Sequence, residues 1–464
     1  MKRLFCLLLF LFPVVSFAQQ PWYKYSPVDY AWKDVGSVGF SAGEANYVSL
    51  AFSPTDGKPY VAFQDWANSN KATVIRFDGT NWVNVGNAGF SAGEAGYTSL
   101  GFNLTGEPFV AYGGYLTYPW KATVMKFDGT NWVYVGTSGF SAGNAEFTCL
   151  AFSLTDELYV AYMDVADSGR ATVMKFDGNN WVNVGNAGFS AGVVQWISLA
   201  FSTSDEPYVG YYDDAKSGKA TVMKFDGTNW VDVGNRGFSA GSACTPSLTF
   251  DPSNGQPCLA FEDGGNSNKA TVMTFNGTNW VNVGNAGFSG GMANYTSLAF
   301  SPSDGHPYVA FTDYENIARA TVMKFDGTNW VNVGNAGFSS GWALYTSLAF
   351  SPSGQPYVAF EDFGNSQKAS VMKYDSVMVG INKLQESKLS VYPDPAKDKC
   401  NVQCATCNIK NIHIFNLTGE KVYEADFSSG TSNSVEIDLD FPAGIYFVQV
   451  TSDKAVEVGK FIKE

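Results

Sequence analysis

YAWKDVGSVGFSAG, residues 30 to 43, is a phrase that stands out of order. Elsewhere its tryptophan follows a second phrase, as in ATVMKFDGTNWVNVGNAGFSSG at 320 to 341, but nothing of the ATVMKFDG type precedes it here. The tryptophan recurs at Trp32, Trp82, Trp132, Trp181, Trp230, Trp280 and Trp330, every 49 or 50 residues. A fixed period of this length marks a tandem array of one supersecondary unit. Two more phrases keep the period. SLAFSPSGQPYVAF at 347 to 360 has degenerate copies from Ser49 onward, and ATVMKFDG runs from Ala72 to the variant ASVMKYDS at 369 to 376.

Each unit reads as four strands. TSLAF is the first, PYVAFTD an alternating second, ATVMKF the third and NWVNVG the fourth, with Gly, Asn, Asp and Pro marking the turns between them. A four-stranded sheet with two apolar faces cannot cover both alone, so neighbours must stack on it. An open stack needs atypical polar end units, whereas the first and last units here keep the apolar residues of the internal ones. The final unit, Tyr345 to Asp375, ends before its tryptophan strand, and the fragment at the N-terminus supplies one. The expected fold is therefore all-β: a seven-bladed β-propeller in which Trp32 to Gly36 pairs with Ala369 to Tyr374 as the outermost strand of the last blade.

The flanking segments differ from the repeats. MKRLFCLLLFLFPVVSFAQQ has a basic start, an apolar run and small residues Ser16 and Ala18, the pattern of a secretory signal peptide over residues 1–18. The propeller is expected over 19–376, a linker over 377–387 and a small β-sandwich over 388–464. In that last segment LSVYPDPAKDK, IHIFNLTGEKVYE, FPAGIYFVQV and VGKFIKE occur in order. Together they resemble the C-terminal sorting domain of type IX secretion substrates in Bacteroidota, although YPDPA stands where the family has YPNPA. The resemblance implies passage across the outer membrane by the type IX machinery, then release or attachment at the cell surface.

Composition narrows the chemistry. With 29 Lys and Arg against 43 Asp and Glu the net charge is −14, which opposes nucleic-acid binding. No stretch beyond the signal peptide reaches the roughly 20 apolar residues of a transmembrane helix. Only His306 and His413 are present, so a His-rich metal site is excluded and a Ser-His-Asp triad is not expected. Cys404 and Cys407 in CATC lack a second pair of ligands for zinc. No cofactor is expected, and calcium is the one metal left open, without a D-x-D-x-D-G loop to hold it.

Two sets of residues are candidates for function. Asp65, Asp164, Asp213, Asp263, Asp313 and Asp362 recur at the end of the second strand, with Gly114 replacing the acid in blade 2. They read either as a ring of acids for a cation or a glycosidase pair, or as loop caps facing the Lys or Arg that opens the third strand. The second set is aromatic and varies between copies. Strand alternation places the loops after the second strand and the links between blades on one face, with Trp66, Tyr115, Tyr118, Trp120, Tyr314, Trp342 and Phe363 upon it. Tyr47, Tyr97, Phe147, Trp196, Tyr295 and Tyr345 precede the first strand, Thr245 being the exception, and read either as packing between blades or as part of a binding surface. GGYLTYPWK in blade 2 departs furthest from the other copies. The expected function is non-catalytic binding of a glycan or other surface macromolecule; a carboxylate-dependent glycosidase or lyase and a passive surface scaffold are the alternatives.

Overall fold

The computed structural model describes residues 29–115, 120–377, 389–404, 408–427, 432–452 and 456–464. The expected signal peptide, Tyr118, Cys407 and the linker beyond Val377 lie outside these residues. Tyr30–Ser376 forms one compact unit, and Val377–Glu464 belongs to another.

In the first unit the sequence period becomes seven four-stranded sheets. After β1 (Asp29–Asp34) the first blade consists of β2 (Ala45–Phe52), β3 (Pro59–Asp65), β4 (Lys71–Phe77) and β5 (Trp82–Asn84), each antiparallel to the next. Local chemistry sets the turns: Asp78 Oδ1 accepts from the backbone N–H groups of both Thr80 and Asn81 at 2.8 Å, which reverses the chain within the DGTN segment. The alternation expected of the second strand is absent. Every residue of Pro307–Asp313 is buried, because neighbouring blades cover both faces of the sheet.

The seventh sheet runs, from outside in, β1, Lys368–Val377, Pro356–Asp362 and Ala343–Phe350. Val35 N–H donates to Val371 O and Phe40 N–H to Ala369 O, both at 2.9 Å; these are the bonds Val85 and Phe90 make within blade 1. The N-terminal fragment thus completes the last blade. Each sheet is open, and closure comes from blade-to-blade contact. On the inner strands Leu50 N–H donates to Ser347 Oγ at 3.0 Å, as Leu100 does to Ser49 and so on round the ring, with Cys149 Sγ replacing the hydroxyl once.

Further out, every blade is clasped to its predecessor by the repeated tryptophan. The indole N–H donates across the seam to a valine carbonyl, Trp82 to Val35 at 2.6 Å and Trp132 to Val85 at 2.7 Å, and Trp32 to Val333 at 2.6 Å closes the series. The ring also stacks on the phenylalanine of the GF dipeptide in the link, with centroids 4.2 Å apart for Phe40 and Trp82 and 4.1 Å for Phe338 and Trp32. Gly36 must follow Val35 because its φ is +68° and a Cβ there would sit 2.8 Å from the Phe77 ring.

The second unit has two sheets. Leu389–Tyr392, Lys399–Cys404 and Ser434–Asp438 form one, while Lys421–Asp426, Ile409–Phe415, Gly444–Ser452 and Val456–Lys463 form the other. They share a core that includes Leu389, Val402, Ile412, Ile414, Val448, Val450 and Phe461. Cys400 is a buried free thiol and Cys404 is disulfide-bonded.

Trp32→Ala removes one clasp and leaves the pairing of the closing strand intact. Truncating a packed aromatic costs about 3–5 kcal/mol, so the midpoint of guanidinium unfolding should fall markedly; an unchanged midpoint would refute the role given to this contact.

Candidate functional site

The recurring acids come first. Asp65, Asp164, Asp213, Asp263, Asp313 and Asp362 are all buried, and each caps a one-turn 3-10 helix by accepting from the backbone N–H two residues on. The rest of the carboxylate is also used. Asp65 Oδ2 accepts from Asn68 Nδ2 at 2.8 Å and from Thr73 Oγ1 at 2.9 Å, and Asp313 makes the same bonds with Asn316 and Thr321, both at 2.8 Å. Lys71 and Arg319 lie opposite in the pairing register, yet the oxygens are taken by the hydroxyls. Acceptors used in this way brace the loop. Among the described residues no three His, Cys, Asp or Glu side chains gather into a metal-binding group.

The aromatic residues before the first strand pack ring to ring with those of the neighbouring blades. They form a collar around a central, open pocket of about 280 Å³. Tyr47 lies 4.8 Å from Tyr97 and 5.1 Å from Tyr345, Tyr97 4.8 Å from Phe147, and Tyr295 4.8 Å from Tyr345, ring centroid to ring centroid. Trp196 follows Phe147 at 5.7 Å. A bulge after the second residue of the strand aims each ring inward. It does so by holding Tyr47, Tyr97, Phe147, Trp196, Thr245, Tyr295 and Tyr345 in the left-handed region, with φ between 46° and 55°. Such a conformation costs a non-glycine residue about 1–3 kcal/mol. Thr245 interrupts the collar.

The loop residues fall in a narrower sector. Among the described residues, six large apolar side chains on this face are exposed: Val38, Trp66, Val165, Tyr314, Ile317 and Trp342. All but Val165 belong to blades 6, 7 and 1 or to the link between the last two. Trp66 and Trp342 are 56% and 50% exposed, and Trp342 leans on half-buried Phe363 with centroids 5.5 Å apart. The same local bond pairs the loops in six of the blades, for example Trp66 N–H to Glu44 O at 3.1 Å and Phe363 N–H to Trp342 O at 3.0 Å. Two variable side chains are therefore presented together in each of these. The structure brings Trp66, Tyr314, Trp342 and Phe363 into consecutive blades and sets Trp196 apart in the collar. Of the blade 2 candidates, Tyr115 ends a strand opposite Glu94, the Trp120 N–H donates to Asn144 Oδ1 at 2.7 Å, and Tyr118 lies outside the described residues.

Two functional candidates escape a reading that looks only for recurrence. Glu262 and Glu361 occupy the position before the capping aspartate, filled elsewhere by Gln64, Gly113, Met163, Tyr212 and Thr312. The signal was their irregularity. This position faces the next blade: Thr312 Oγ1 donates to Ala343 O, and a Cβ on Gly113 would meet Ala145 O at 2.5 Å. Glu262 and Glu361 are 9% and 2% exposed. With its amide turned to suit both neighbours, Asn294 donates to the two Glu262 oxygens, and its other end lies 3.4 Å from the Tyr314 hydroxyl. Burial pushes Glu262 up to about 7, and burial together with the Glu44 charge pushes Glu361 up to about 8.

These shifts fix the sign of a pH dependence. Each acid holds its proton in the folded state to a higher pH than in the unfolded chain, so stability is full below about 4.5, falls as pH rises and levels off above about 8 for Glu361. Glu361→Gln should abolish a slope approaching about 1.4 kcal/mol per pH unit in this window. Denaturant unfolding at pH 5, 7 and 9 measures it, and parallel curves for the two proteins would contradict the assignment.

Comparison with known proteins places part of this chain. Residues 390–464 match the secretion system C-terminal sorting domain. An endo-acting ulvan lyase from Formosa agariphila is 28% identical over 76 residues, 16% of this chain; the chain thus spans about 14% of that relative's length. Among solved structures, a chain of the mitotic checkpoint complex aligns with TM-score 0.50 and 15% identity over 80% of this chain and 99% of its own. A polysaccharide lyase, an ulvan lyase solved with bound oligosaccharide, aligns with TM-score 0.47 and 12% identity over 74% of this chain and 96% of its own. No helix among the described residues is long and apolar enough to cross a membrane. Residues 390–464 are a type IX secretion sorting domain, and the protein that carries it is exported to the cell surface or beyond, with a propeller-like fold ahead of its tail.

Proposed function

We propose that this protein is a non-catalytic, glycan-binding propeller whose ligand lies across the loop face of blades 6, 7 and 1. The observation that carries the reading is the gathering of Trp66, Tyr314, Ile317 and Trp342 in one sector of a frame that otherwise repeats. The fold does not require aromatic side chains here, since the equivalent positions in other blades include Ser242, Gly264 and Asp214 as well as Val165 and Val193. Exposed rings in a contiguous sector cost solubility and return something only when covered. Apolar platforms beside a few oriented polar groups, here Glu44, Asn46 and Asn294, suit a sugar with one apolar face and a rim of hydroxyls. Export to the outside of the cell puts the site where glycans are displayed.

Glu262 and Glu361 favour a second reading, in which the same face carries out acid-assisted cleavage. Both are acids without a cationic partner among the described residues, and environments that keep a carboxyl protonated near neutral pH are common in catalytic sites. The near-identity of the blades weighs against this, because catalysis needs an asymmetric cluster of cooperating groups.

An oligosaccharide array probed with the secreted protein, with and without Ca²⁺ and followed by product analysis of each hit, separates the readings. Binding without turnover supports the first and turnover the second. Trp66→Ala and Trp342→Ala should each weaken a hit by about 10-fold, equivalent to about 1.4 kcal/mol. Unaltered affinity in both would move the ligand off this sector.

A further inference from the structure

The collar is broken at one place. Six blades contribute a ring at the bulge, and blade 5 contributes Thr245, although its backbone keeps the same left-handed turn at φ 46°. A β-branched residue is especially disfavoured there. The Thr245 side chain does not fill the space of a ring: its hydroxyl accepts from Thr296 N–H at 3.3 Å and its carbonyl from Thr296 Oγ1 at 2.6 Å. Trp196 stands on one side of the break and Tyr295 on the other, and all three line the central pocket. Trp196 is held in place edge-on by Tyr212 at 5.5 Å. Strain retained where the ring has been given up points to a use for the vacancy.

The polar side chains that line the pocket beside the break are Thr245 and Thr296. Glu262 is paired in register with Cys244, the neighbour of Thr245, and Asn294 immediately precedes Tyr295. Glu262 and Asn294 bond to each other outside the lining of the central pocket. Two aromatic walls with the Thr245 and Thr296 hydroxyls beside them match a pyranose, whose C–H faces stack on the rings while its own hydroxyls reach the threonines.

The geometry points to the break at Thr245 as a subsite that takes one pyranose ring of the ligand in the place of the seventh aromatic side chain, between Trp196 and Tyr295. This rests on the glycan-binding reading and adds a specific seat to it. Thr245→Tyr provides the test, because Tyr occupies the equivalent position in four sister blades and Phe or Trp in two more, all with the same backbone. The full secreted chain and its variant are screened on the oligosaccharide array, and each hit is titrated as free oligosaccharide by calorimetry. Wild-type binding that drops at least 10-fold in Thr245→Tyr supports the subsite. Equal affinity overturns it while leaving the glycan reading standing, and absence of any wild-type hit overturns both. Should circular dichroism show the tyrosine variant misfolded, Trp196→Ala removes a wall instead and is read by the same criteria.

Discussion

The contact on which the propeller depends is the clasp between tryptophan and the blade before it. A single indole ring supplies apolar area, a stacked partner and a donor for a carbonyl that would otherwise face the seam unpaired. Within each clasp, stacking contributes about 0.5–1.5 kcal/mol beyond the area the indole buries. The weight of the clasp lies in repetition. Because the seventh is made by Trp32 on Phe338 and Val333, the bond that joins the chain's ends is chemically the same as the six internal ones. No weaker seam is left where the ring was closed.

Repetition also explains where specificity resides. The capping aspartates, the link serines and the clasp residues have their hydrogen bonds saturated inside the frame, as Ser91 shows by donating to Gly93 O while accepting from Ala72 N–H. Residues so committed are poor ligand contacts. What remains are positions that the frame leaves unspecified: the residue before each first strand, the first residue of each 3-10 turn and the residue ahead of each capping aspartate. Aromatic and acidic choices at these positions are unevenly spread and are densest in blade 7, with Trp342, Glu361 and Phe363. A symmetric scaffold thus carries an asymmetric surface, with function written in the departures from the repeat.

Two costs are borne on that face. The collar holds seven non-glycine residues in a left-handed conformation, and two seams bury a carboxyl group. The bulge carbonyls accept hydrogen bonds from the next blade, as Tyr47 O does from Thr98, whereas the buried acids are not needed for closure. Thr312 fills the acid's position in blade 6 with a hydrogen bond to the next blade, which shows how the seam is satisfied when structure alone is served. Carrying Glu262 and Glu361 instead forgoes that solution.

Much of the fold was legible in the chain because it rests on local periodicity. The spacing of the tryptophans counts the blades, the Gly, Asn and Asp turns delimit their strands, and the truncated last unit with the orphan phrase at Trp32 dictates how the ends meet. The phrases of the tail were likewise readable in order. Three things were settled only in three dimensions. The strand expected to alternate is buried on both faces, since neighbouring blades rather than solvent cover it. The aromatic residues before the first strand ring the axis, because a bulge reverses the direction in which they point. Glu262 and Glu361 became visible as buried acids only when the seam they enter was in place. In each case the deciding neighbour lies in the adjoining blade, about 50 residues away by the repeat period, and one-dimensional pattern carries no record of which side of a sheet that neighbour will occupy.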